Sequence, residues 1–216
     1  MLKVGLTGGV ASGKSTLAAM LGELGAVLCD ADAVVGELYR PGAPGSAAVE
    51  GAFGRAALAP DGGVDRAALA RLVLDDAAAR RRLEGAVHPL VRAAIAEWFA
   101  ALARDAAPPA VAVVEAALLV ETGVYREQDR LVVTTAPREI RRARALAAGW
   151  AAERFEGVVA AQLDDAAREA VADYVVRNDG GRESLRRAAA ALWGHLSDDA
   201  RIVAAGGALR RERVVI

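Results

Sequence analysis

A chain of 216 residues suits one globular domain with room for an inserted subdomain, and 54% hydrophobic residues, many of them alanine, allow a large core. A formal net charge of −1 excludes the basic stripe of a protein that coats nucleic acid. One cysteine, Cys29, excludes an internal disulfide, no signal-peptide layout opens the chain, and no apolar run is expected to span a bilayer; the prediction is a soluble cytoplasmic protein.

The first element is a strand over residues 2–7, short and apolar with a β-branched residue. It runs into Gly8-Gly9-Val10-Ala11-Ser12-Gly13-Lys14-Ser15, which meets the phosphate-binding pattern G-x-x-x-x-G-K-[ST] at every fixed position. After Thr16, Leu17, Met20, Leu21 and Leu24 recur at helical spacing, so the loop lies between a strand and a helix, as that pattern requires. Glycines allow the tight turn that points successive N–H groups at a polyphosphate, and the helix adds the positive end of its dipole. Lys14 is expected to reach the β- and γ-phosphates and Ser15 to hold Mg2+. Lys3 and Lys14 are the chain's two lysines among 27 basic residues, and one of them stands at the phosphate clamp.

Further Val- and Leu-rich runs at 26–29, 110–115, 130–135 and 172–177 read as strands. Strands covered by helices on both faces are continuous apolar runs, so a parallel α/β sheet of about five strands is predicted. Ligands bind at the carboxyl ends of such strands, where Thr7, Asp30, Asp32, Glu115, Thr134 and Thr135 stand. Residues 33–109 show no convincing strand and form a helical subdomain. Asp65 is placed as the N-cap of a helix through Leu74, and Asp75 or Asp76 as that of the next. From His88 to Arg104, Val91, Ile95, Trp98, Phe99 and Leu102 mark an amphipathic helix, with both aromatics assigned to core. Two short helices over 138–162, turning near Gly149, are expected to form a lid, the first with Arg138, Arg141, Arg142 and Arg144 on its outer face. Residues 199–216 read as a tail of uncertain order, leaving 1–32, 110–137 and 163–198 as the core domain.

Asp30-Ala31-Asp32 sits just past the second strand. With alternating direction the two carboxylates point the same way, and one is placed to accept the proton of an acceptor hydroxyl. The competing explanation is that one or both cap the next helix. Glu115 ends the third strand, where an acid supports Mg2+, in this reading through water.

Taken together these segments resemble the dephospho-CoA kinases over about residues 2–197. The resemblance rests on G-L-T-G-G-V-A-S-G-K-S-T at the start, D-A-D at 30–32, P-G at 41–42 and F-G at 53–54. More distinctive is V-D-R-A-A-L at 64–69, followed by Asp75, Arg80, Leu83-Glu84 and H-P-L-V-R at 88–92. Leu118-Leu119 with Glu121, then Gln162, Arg168, Ala172-Asp173-Tyr174-Val175 and Asn178, match later landmarks. The resemblance implies a P-loop kinase that moves the γ-phosphate of ATP, with Mg2+, to the ribose 3′-hydroxyl of dephospho-CoA. It makes Asp32 the catalytic base supported by Asp30, and sets Lys14 and Ser15 at ATP·Mg. It puts Thr7, His88, Arg92 and Leu118 toward the acceptor, Arg144 at the phosphates and Asn178 near adenine. Its implied partners are small molecules, with a monomer or weak homo-oligomer.

The sequence departs from the family at Glu115, where Asp is usual, at Ala117 and Val120, where Pro and Phe are usual, and at Ala148, where a second lid arginine is common. Those departures keep a catalytically weak pseudoenzyme among the readings, beside another P-loop small-molecule kinase. A GTP-dependent switch normally needs a lysine in a late N-K-x-D motif, and no lysine follows Lys14.

Overall fold

The computed structural model describes residues 1–74 and 76–216, so the expectation placed on Asp75 lies outside the described residues. The strands are β1 Leu2–Gly8, β2 Val27–Asp30, β3 Val111–Glu115, β4 Arg130–Thr135, β5 Tyr174–Arg177 and β6 Val214–Val215. They form one six-stranded sheet in the order β2-β3-β1-β4-β5-β6. β1 pairs in parallel with β3 and β4, β4 with β5, and β5 with β6. The chain divides into two compact units, residues 1–29 with 102–216, and residues 30–101.

In the first unit the alternation of β-strand side chains sends Leu2, Val4, Leu6, Val113, Val132 and Val176 to one face. Leu17, Met20 and Leu21 of α1 (Lys14–Glu23) and Leu185, Ala189, Leu192 and Leu196 of α9 (Arg182–Ala204) cover it. Leu131, Val133 and Val175 face the other way, against Leu119 and Ala172. Each fully buried Leu or Val contributes about 1.5–3 kcal/mol, and this two-sided burial is why the strands read as unbroken apolar runs. β1, central in the sheet, delivers the glycine loop to its carboxyl end.

The end of the chain corrects the expectation of a tail. α9 continues to Ala204, Gly206 turns the chain at φ 73°, and residues 214–215 add a sixth strand. Val214 N–H donates to the Asp173 carbonyl at 2.9 Å, and Ile216 N–H to that of Val175 at 2.8 Å. Val214 and Ile216 pack on the main core, which is what holds so short a strand.

The second unit comprises α2 (Ala31–Leu38), α3 (Pro44–Phe53), α4 (Arg66–Val73) and most of α5 (Ala77–Ala103). Val49, Ala57, Leu69 and Val87 form its core. Asp65 caps α4, accepting from Ala67 and Ala68 N–H at 2.9 Å each. Asp76 Oδ1 accepts from Ala78 and Ala79 N–H in the first turn of α5, and these bonds, that of Ala79 foremost, hold its carboxyl below the ordinary value. α5 runs unbroken through Pro89 rather than starting anew at His88. Proline removes one N–H from a 27-residue helix, too little to end it once Val87 and Ile95 are buried on either side. Phe99 is buried as expected, whereas Trp98 is half-buried, edge-on to it. Against the expectation that no apolar run could span a bilayer, α5 is by length and composition long and apolar enough to do so, with a mean hydropathy of 1.2 over 18 residues rich in alanine.

Candidate active site

The glycine loop leaves β1 in a conformation that side chains rarely adopt. Ala11 has φ 57° and Gly13 φ 94°, and this curls the backbone into an anion-binding nest at the start of α1. A Cβ on Gly13 would stand 2.1 Å from Asn178 Nδ2, so the position needs glycine twice over. Asn178 donates from Nδ2 to the Ser12 carbonyl at 2.8 Å. On the other side of the turn, Gln162 Oε1 accepts from Val10 N–H at 3.0 Å. Thr7, fully buried, donates from Oγ1 to the Ala117 carbonyl at 3.3 Å.

At the mouth of α1 the Lys14 ammonium and the Ser15 hydroxyl both donate to Glu115 Oε1. Thr16 follows in the first turn, half-buried. The Ser15 hydroxyl and the Glu115 carboxylate thus offer oxygen donors at one point. Among the described residues no group of three or more His, Cys, Asp or Glu side chains is placed to hold a metal. A sparse oxygen set fits Mg2+, which keeps waters and phosphate oxygens in its shell, and does not fit a metal needing a full protein cage.

Beside the loop stand α6 (Arg138–Ala147), α7 (Ala152–Ala161) and α8 (Asp165–Glu169). Arg144 reaches back from α6, donating from Nη2 to Asn178 Oδ1 at 3.3 Å and to the Gly180 carbonyl at 3.2 Å. Asn178 therefore spends both ends of its amide on the loop and on Arg144. Arg141 corrects the sequence reading: it is not on the outer face of α6 but buried, 8% exposed. It shares the inward face with Ala145, four residues on. Arg168, fully buried, is ion-paired to Glu121 and Asp165 behind the loop. Among the described residues, Ser12 Oγ on this loop and Arg141 Nε, Arg144 Nη1 and Arg168 Nε around it are buried without a hydrogen-bond partner. A polyphosphate supplies what such donors need.

The second unit holds the other expected residues. β2 ends at Asp30, and Asp32 lies in the first turn of α2, so the two carboxylates do not alternate along one strand. Asp30 caps that helix, its Oδ1 accepting from Asp32 N–H at 2.8 Å, which leaves the exposed Asp32 carboxylate as the one not engaged in capping. His88 and Arg92, one turn apart, share a face of α5. Leu118, in the first unit, is 40% exposed beyond β3.

Gln162, which holds the loop, was not singled out for that role by sequence, and Arg141, which lies on it, entered as a functional candidate only with Arg142, as a residue that could compensate for the lid arginine absent at Ala148. Gln162 was a landmark only, and its signal is that a side-chain acceptor follows directly on α7. For Arg141 the signal was the i,i+4 pairing with Ala145 on the face that also presents Arg144.

A model of the dephospho-CoA kinase family matches residues 2–184. The chain is 42% identical to a dephospho-CoA kinase of Frankia casuarinae over 193 residues, 89% of this chain and 82% of that protein. It is 39% identical to a dephospho-CoA kinase of Moorella thermoacetica over 204 residues, 92% of this chain and 96% of that protein. Among solved structures, a Thermus thermophilus protein superimposes with a TM-score of 0.75 at 33% identity, covering 90% of this chain and 97% of that one.

Proposed function

The chain belongs to the dephospho-CoA kinase family and phosphorylates dephospho-CoA with ATP, and we propose that the transfer runs on the glycine loop and on carboxylates presented at the ends of β2 and β3. The observation that carries this assignment of roles is the convergence of Lys14 and Ser15 on Glu115 at the mouth of a strained, glycine-capped loop.

In this reading the loop N–H groups from Gly8 to Thr16 cradle the ATP phosphates and Lys14 spans the β- and γ-phosphates. Ser15, with Glu115 through water, would hold Mg2+, which would neutralise charge on those phosphates when bound. Arg144 faces the phosphates from α6, and with α7 it makes residues 138–162 a lid. Asn178 sits at the adenine end as well as under the loop. Thr7, Asp30, His88, Arg92 and Leu118 serve the acceptor. Asp32 takes the proton of the ribose 3′-hydroxyl as that oxygen bonds to the γ-phosphorus; the bond from phosphorus to the β,γ-bridging oxygen breaks, and ADP leaves. The same reading puts the protein in the cytoplasm, as a monomer or weak homo-oligomer acting on small molecules.

Steady-state kinetics with both substrates test these roles. Lys14→Ala is expected to lower kcat/KM by about 10²–10³ with the fold retained, because one preorganised transition-state donor is lost. Asp32→Asn is expected to bind both substrates and lower kcat by about 10²–10⁴. Near-native turnover in either variant removes that residue from its role. Loss of acceptor binding with normal residual chemistry in Asp32→Asn makes it a positioning residue instead.

A further inference from the structure

The four arginines of α6 end in different surroundings. Arg138 and Arg142 stay at the surface against Glu156, and Arg144 is bonded to Asn178 and the Gly180 carbonyl. Arg141 is nine-tenths buried and lies on the phosphate loop itself. Its Nη1 is 2.2 Å from where a Cβ on Gly9 would sit, so the guanidinium occupies the space that the missing side chain leaves open.

The hold on this cation is slight. Its ion pair runs from Nη2 to Asp165 Oδ2 at 3.5 Å, beyond the usual length of a charge-assisted hydrogen bond. Asp165 is shared with Arg168, whose Nη1 stands 3.4 Å from Oδ1. Arg141 Nε is buried without an acceptor. Arg168 Nε is likewise buried without an acceptor, but both Nη atoms of Arg168 are ion-paired, to Glu121 and Asp165. Arg141 has only its weaker pair and lies directly over Gly9, where the unmade hydrogen bond of a charged group is costly. Lys14, by contrast, is already engaged by Glu115. A planar guanidinium fork with spare donors, fixed over the backbone of an anion-binding loop, is built for bidentate binding of phosphate oxygens.

We propose that Arg141 binds the terminal phosphate of ATP, lying over Gly9 with Asp165 as the carboxylate that positions it. The proposal rests on the ATP-site reading of the loop given above. Gly9 is then glycine to make room for the guanidinium, and Asp165, 3.3 Å from the same open space, keeps the fork in place before nucleotide arrives.

Isothermal titration calorimetry with ATP and with ADP, both with Mg2+, on the native chain, Arg141→Met and Arg141→Lys decides it. The expected result is that Arg141→Met weakens ATP about 10- to 100-fold and ADP far less, so the preference of the native chain for ATP over ADP collapses. Arg141→Lys, which keeps charge and loses the fork, is expected to fall between the two. Unchanged affinities, or an equal loss for ATP and ADP, overturn the proposal and leave Arg141 a strut of the loop. Should Arg141→Met fail to show a cooperative thermal transition, Arg141→Lys carries the decision, and a native ATP-to-ADP preference in it overturns the proposal. Failure of the native chain to bind either nucleotide counts instead against the reading of the loop.

Discussion

Glu115 gives one carboxylate oxygen to two partners, the Lys14 ammonium and the Ser15 hydroxyl. Its side chain is one methylene longer than aspartate, and its Oε1 alone meets both. In the proposed reading, a carboxylate so placed would neutralise the lysine before nucleotide binds and orient the hydroxyl offered to the metal. Glu115→Gln is therefore expected to raise the Mg2+ concentration for half-maximal turnover by about 10-fold, while metal-free ATP binds no more weakly because an anion has left the phosphate site. An unchanged Mg2+ dependence removes Glu115 from the metal's surroundings. Lys14 and Ser15 were legible because their pattern is local, eight residues between a strand and a helix. Arg141 and Gln162 were not, because what they touch is 132 and 152 residues away, and an arginine on a helix reads as solvated until packing buries it.

At the level of elements, α9 is tied to the sheet by a buried polar cluster. Arg130, at the start of β4, bonds through Nε and Nη2 to Asp199 at 2.6 and 2.9 Å, and the Tyr174 hydroxyl donates to Asp199 Oδ2 at 2.6 Å. Burial alone would raise the Asp199 carboxyl, but the hydrogen bonds from Arg130 and Tyr174, with the Arg130 charge, hold it below the ordinary value. Burial, then the bond to Asp199, pushes the Tyr174 phenol above its ordinary range. Because the Asp199 carboxyl is lowered on folding, its contribution is full above the unfolded value of 3.8 and is lost as pH falls through the lower folded value. Asp199→Ala is expected to cost about 3 kcal/mol at neutral pH, leaving Arg130 with Asp173 at 3.5 Å, and to flatten the loss of stability below pH 4. Urea melts across pH check both effects, and a native-like midpoint contradicts them. The buried strands and the caps at Asp65 and Asp76 were readable, since periodicity and caps are local signals. β6 was not: two valines after an arginine-rich stretch become a strand only because β5, some 40 residues earlier, offers an open edge and the core takes Val214 and Ile216.

The whole molecule joins a parallel sheet unit, which carries the phosphate loop, to a helical unit with its own core. The missing strands of residues 33–109 led to the expectation of a helical subdomain there; the compact helical unit runs 30–101, and residues from 102 onward lie with the sheet unit. The protein as a whole moves one phosphate from ATP to dephospho-CoA. Mass spectrometry of the products tests it most directly, with the native chain incubated with ATP, Mg2+ and, in separate reactions, dephospho-CoA, nucleoside monophosphates and adenosine. One phosphate gained on the 3′-hydroxyl of dephospho-CoA, with an equal amount of ADP and no change in the other acceptors, is the expected result. Phosphate on another acceptor alone, or ATP binding without transfer to any of them, would contradict it.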